Sequence, residues 1–140
     1  MIKEILEDYG FWESLIRKKQ REIDRLRERR TSISLNNDGL PRSSARYTME
    51  DYVSDLEDLE ADLAELRSRQ LEAYDQICRL LVILESVKQR EVIYLRYIDL
   101  KPWREIWSLL GLSRTRCFDL HRGALRFLEE RGVRNLRSGV

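Results

Sequence analysis

The side chains best able to do chemistry lie just past Gly111, where Ser113, Arg114, Thr115, Arg116, Phe118, Asp119 and Arg122 fall within SRTRCFDLHR. Hydroxyl and guanidinium groups of this kind donate to phosphate oxygens, and an arginine fork pairs bidentately with the major-groove edge of guanine. If the stretch is helical, Cys117, Leu120, Ala124, Leu125 and Leu128 make its inward stripe. Ser113, Arg114, Thr115, Phe118, Asp119 and Arg122 then face outward, with Arg116 on the flank. Such a surface suits double-stranded DNA. The competing interpretation is a protein-binding packing unit with Trp103 and Trp107 in its apolar contact.

Other chemistries find little here. The sequence has no phosphate-cradling glycine loop and no HExxH, and its paired acids sit in helical runs where solvation accounts for them. His121 is the only histidine, and Cys78 and Cys117 lie far apart, so the four ligands of a structural zinc site are not available. Free buried thiols are expected. His121 is expected at the surface or against backbone, with a phosphate contact open to it. No catalytic, cofactor or metal residue is assigned, and the chain is read as a non-enzyme.

Three elements must position the arginine-rich face. A short helix opened by Pro102 would carry Ile106, Leu109 and Leu110, and Gly111 supplies the positive φ of a tight exit. Leu112 can then fill the angle between two helices, while Ser113 is a good N-cap for the next one. Upstream, Glu91 to Tyr97 reads as a supporting helix with Val92 and Leu95 inward.

These residues resemble a family. REVIYLRYIDLKPWREIWSLLGLSRTRCFDLHRGAL is similar to region 4 of sigma-70-type factors, whose pattern runs from an RxxVLxLRY helix through an EIA helix and LGxS to a recognition helix closing on AL. Arg96 and Tyr97 match the RY, Glu105 and Ile106 the EI, Leu110 to Ser113 the LGxS, and Ala124 with Leu125 the AL. Trp107 departs from the pattern by standing where a small alanine is usual, so it must swell the interhelical space or rotate outward. The resemblance covers about the last third of the chain. With a long helical N-terminal half, the whole resembles phage-encoded sigma-like late-gene regulators of the ArpU and RinA type. That implies an activator in a bacterial host cell that touches host RNA polymerase as well as promoter DNA.

The N-terminal half has a different periodicity. Ile5, Tyr9, Trp12, Ile16, Lys19, Ile23, Leu26 and Arg30 step by alternating fours and threes, as do Tyr52, Leu56, Leu59, Leu63, Leu66, Gln70, Ala73, Ile77, Leu80 and Leu84. Two long helices follow, joined by a mobile connection over 31–48 in which Asn37, Asp38, Gly39 and Pro41 interrupt any helical period. Arg17 to Arg30 holds eight basic and three acidic residues, and Glu50 to Glu65 holds eight acids and no base. The length of the connection allows the second helix to fold back on the first or each helix to pair with a neighbouring chain; fold-back sets these stretches side by side and suits both helix dipoles. The basic stretch as a nucleic-acid patch in its own right is the rival interpretation.

The expected fold is therefore all-α: an antiparallel coiled-coil-like hairpin over 1–86, a sigma-70 region 4-like helix-turn-helix over 87–131, and a basic tail over 132–140, disordered until bound. The net charge of +1 hides a division, since residues 1–85 carry 14 basic and 19 acidic groups and residues 86–140 carry 12 and 6. A basic C-terminal module binds phosphate through counterion release, while an acidic coil limits indiscriminate sticking. Arg126, Arg131, Arg134 and Arg137 extend the positive field. The longest apolar run is the five residues Leu80 to Leu84, so no transmembrane span is expected, and MIKEILEDYG lacks a signal-peptide pattern, which gives a cytoplasmic expectation. The partners expected are double-stranded DNA, host RNA polymerase and further copies of the chain. A small-terminase-like packaging subunit and a coiled-coil adaptor are the alternatives.

Overall fold

A computed structural model describes the backbone over residues 1–35 and 47–137 and the side chains over 1–31 and 47–131. Five α-helices and no strands occur among the described residues: α1 (Ile2–Leu35), α2 (Met49–Ile83), α3 (Val87–Tyr97), α4 (Trp103–Leu110) and α5 (Arg114–Arg137). No helix among these residues is long and apolar enough to cross a membrane. The all-helical class is as expected, but three boundaries differ. Helix α1 continues through Leu35, since TSISL contains neither glycine nor proline to stop it. Helix α3 starts at Val87, ahead of the expected Glu91, because the Ser86 hydroxyl accepts the Gln89 N–H at 3.2 Å and caps the end. Helix α5 reaches Arg137, so the backbone over 132–137 is helical where a disordered tail was expected. Most of the expected 31–48 connection lies outside the described residues.

Contacts divide the chain into two compact units, one made of Met1–Trp12 with Arg69–Val140 and the other of Glu13–Ser68. These limits do not follow the motif boundaries drawn from the sequence.

In the smaller unit Ile16, Ile23 and Leu63 are buried together, with Leu56, Leu59 and Leu66 packed around them. All six belong to the heptad-spaced positions. Thr48 begins α2 with a reciprocal cap: its hydroxyl accepts the Asp51 N–H at 3.1 Å, and the Asp51 carboxylate accepts the Thr48 N–H at 3.0 Å. Opposite charges meet where Lys19 lies 3.6 Å from Asp62 and Arg27 lies 3.8 Å from Glu60. Arg27 and Glu60 are each more than half exposed, so that pair contributes less than about 1 kcal/mol and apolar burial dominates.

The larger unit has two cores. The first gathers Ile2, Leu6, Ile77, Leu80, Leu84, Ile93, Tyr97, Ile98, Ala124 and Leu128, drawn from α1, α2, α3 and α5. Ile2 and Leu6 are fully buried although neither belongs to the Ile5, Tyr9, Trp12 series. Here the apolar face of α1 is wider than a two-per-heptad seam because several helices converge on it. Glu129 of α5 closes the start of α1 by accepting the Ile2 N–H at 3.0 Å. The second core, Val92, Ile106, Cys117 and Leu120, with Leu95, Trp103, Trp107, Leu110 and Leu112 around it, fixes α3, α4 and α5 to one another.

Candidate nucleic-acid interface

The joint between α4 and α5 fixes where the arginine-rich face points. Gly111 adopts φ 65° and ψ 34°, the Leu112 N–H returns to the Trp107 carbonyl at 2.8 Å, and the Gly111 N–H returns to the Ser108 carbonyl at 3.2 Å. This is a Schellman closure, and Leu112 and Trp107 both pack against the second core. Among the described residues, no atom beyond its immediate chain neighbours lies within 4 Å of where a Gly111 Cβ would sit, so backbone conformation alone calls for glycine. Ser113 then caps α5, its hydroxyl accepting the Arg116 N–H at 3.1 Å. Pro102 stands one place before α4, at its N-cap.

Cys117, Ala124 and Leu128 are fully buried and Leu120 nearly so, which sets the rotation of α5. At about 100° per residue, the opposite stripe carries Thr115, Asp119, Arg122 and Arg126. All four are exposed, as are Ser113, Arg114 and Arg116 around the first turn. Arg126 belongs to this stripe, a place its spacing of four from Arg122 would have disclosed; the sequence suggested only a field effect for it. Arg122 is 66% exposed and paired with Asp119 one turn earlier. The first turn of α5 contains no acid. Arg114 and Arg116 thus sit against the positive end of the helix dipole, an arrangement that an arriving phosphate would relieve.

Two side chains differ from expectation. Phe118 is half-buried, with its ring centroid 4.9 Å from Trp103 and 6.0 Å from Trp107, and the Arg114 guanidinium lies 5.8 Å above it. It therefore supports Arg114 from behind and does not itself stand outward. Trp107 packs at the edge of the second core with its ring edge-on to Phe118, so the indole is taken up by an aromatic cluster on the flank.

His121 is turned inward as well. Its Nε2 shares a 2.7 Å hydrogen bond with the Tyr97 hydroxyl, its ring stacks on Tyr97 at 5.8 Å, and Trp103 meets it edge-on at 4.7 Å. Burial, followed by the positive charges of Lys3, Arg96 and Arg122, pushes its pKa down to about 4. A neutral, half-buried imidazole held by Tyr97 and Trp103 acts in packing, which replaces the expected surface position with its phosphate contact. Of the two thiols, Cys117 is buried and Cys78 half-buried, and both are free.

Arg96, matched above to the RY of the sigma pattern, donates through Nη1 to the Lys101 carbonyl at 3.0 Å and lies 4.8 Å over Trp103. It braces the loop between α3 and α4. Within that loop Leu100 has φ 56°, an unusual conformation for a residue with a branched side chain. Comparison with family models, with curated proteins and with solved structures finds no match to this chain.

Proposed function

We propose that this chain is a sequence-reading DNA-binding transcription regulator whose α5 enters a major groove. The observation that carries the reading is the pairing of a fixed Gly111–Ser113 joint with an outward polar face: Ser113, Arg114, Thr115, Arg116, Asp119, Arg122 and Arg126 project from a helix whose other side is locked in a core. In this reading α4, the turn and α5 act as a helix-turn-helix, with Arg114 and Arg116 on phosphates and Arg122 on a base edge. The sigma-70 region 4 resemblance extends the proposal to a phage late-gene activator working with host RNA polymerase in the bacterial cytoplasm.

The heptad-spaced positions and the opposed charges of α1 and α2 support an antiparallel coiled-coil-like hairpin as the second part of the design. In a dimer the hairpin would space two reading helices to match paired half-sites. Replacing Arg114, Arg116 and Arg122 by alanine, one at a time, and titrating labelled duplex across a salt series tests the assignment. Each lost phosphate contact should flatten the log-log salt slope by about one, and loss of a base contact should cost about 1 to 3 kcal/mol on the preferred site alone. Binding that is the same in all three variants would remove α5 as the reading helix.

A further inference from the structure

Between the first turns of α1 and the loop joining α3 to α4 lies a cleft of about 480 Å³, within the roughly 300 to 1,000 Å³ of small-molecule sites. One wall is aromatic, formed by Trp103, Phe118 and the neutral ring of His121. Two cations, Lys3 and Arg96, and one acid, Glu7, also line it. Lys3 and Glu7 stand four residues apart on α1, yet among the described residues neither makes an ion pair, with each other or with any other group. Arg96 uses Nη1 on the Lys101 carbonyl and keeps further donors for a ligand. Gly10 and Leu100 meet in the lining, where a Cβ on Gly10 would press to 3.1 Å from the Leu100 side chain.

An unpaired cation, a second cation with spare donors, an unpaired carboxylate and an aromatic wall together describe the complement of one chemical class. We propose that this cleft binds a free aromatic amino acid, its carboxylate at Lys3 and Arg96, its ammonium at Glu7 and its ring against Trp103 and Phe118. Each charged contact is open to water and modest on its own, so affinity comes from the ring and selectivity from having both charges. Such a site binds weakly, with a Kd on the order of a millimolar. The site stands independently of DNA binding, although Phe118 and His121 belong to the helix that carries the proposed reading face.

The test is a titration of the full chain with L-phenylalanine, 3-phenylpropionate and phenethylamine, followed by amide and indole NMR shifts. L-Phenylalanine should saturate shifts at Gly10 and Trp103, and the analogues lacking one charge should each bind about tenfold more weakly. Glu7→Gln, at an exposed position, should erase the preference over 3-phenylpropionate while leaving the spectrum folded. Absence of saturable shifts at these positions, equal binding of all three probes, or a preference unchanged in Glu7→Gln would each overturn the assignment.

Discussion

Lowering pH from 7.5 to 5.0 perturbs His121 selectively. Its folded pKa is about 4 against an ordinary 6.5, so between those values the native protein holds fewer protons than the unfolded chain. A base whose folded pKa is depressed contributes stability that is complete above about 6.5 and is lost as pH falls toward 4. Each pH unit inside the window costs about 1.4 kcal/mol, which gives about 2 kcal/mol by pH 5.0 and about 3 kcal/mol when the window is fully crossed. These are upper figures, because the imidazole is only half-buried. The groups that face it are the positive side chains of Lys3, Arg96 and Arg122, with the Tyr97 hydroxyl as its hydrogen-bond partner. Protonation thus places a fourth positive charge among three and removes the acceptor at Nε2. Urea denaturation of the wild type and of His121→Gln at both pH values isolates the effect, since carboxylate titrations are common to the two proteins. The stability difference between them should shrink at pH 5.0, by at most about 2 kcal/mol and by less to the extent that solvent screens the half-exposed ring. A difference that stays constant across the window would refute the half-buried, neutral imidazole and return His121 to the surface.

Other perturbations address the joint that aims α5. Gly111→Ala should cost about 1 to 2 kcal/mol in urea denaturation from the left-handed backbone alone, because the added methyl meets no atom; Gly111→Asn should recover part of it. Ser113→Ala removes the cap on the Arg116 N–H and should cost about 0.5 to 2 kcal/mol, read as a lower thermal midpoint. Ile106→Ala opens a cavity among Val92, Cys117 and Leu120 and should cost about 2 to 5 kcal/mol by the same measurement; a cost under about 1 kcal/mol would mean that the second core is not packed as described.

What the sequence disclosed was local. Gly111 and Ser113 act through bonds spanning three to five residues, so their types and order were enough to place the joint, and the stripe Cys117, Leu120, Ala124 and Leu128 followed from helical period. The heptad spacing likewise marked Ile16, Ile23 and Leu63 as core. Long-range partners were the obstacle elsewhere. The inward turn of His121 depends on Tyr97, 24 residues away, and on Trp103, whose position is set by the loop between α3 and α4. The strained φ of Leu100 has no signature in its residue type. Ile2 and Leu6 escaped the seam because α1 meets several helices at its start, and a two-per-heptad count cannot anticipate a wider buried face. Phe118 was placed outward by helical angle alone, but the two indoles of α4 draw it to the flank.

Amide and arginine side-chain NMR of the full chain, titrated with a mixed-sequence duplex at low salt, tests the central claim most directly, since electrostatic binding reports the contact face before any preferred site is known. Shifts should concentrate on Ser113 to Arg116, Asp119, Arg122 and Arg126 and fade as salt is raised. Shifts confined to Arg17 to Arg30, or a spectrum that DNA leaves unchanged, would contradict it.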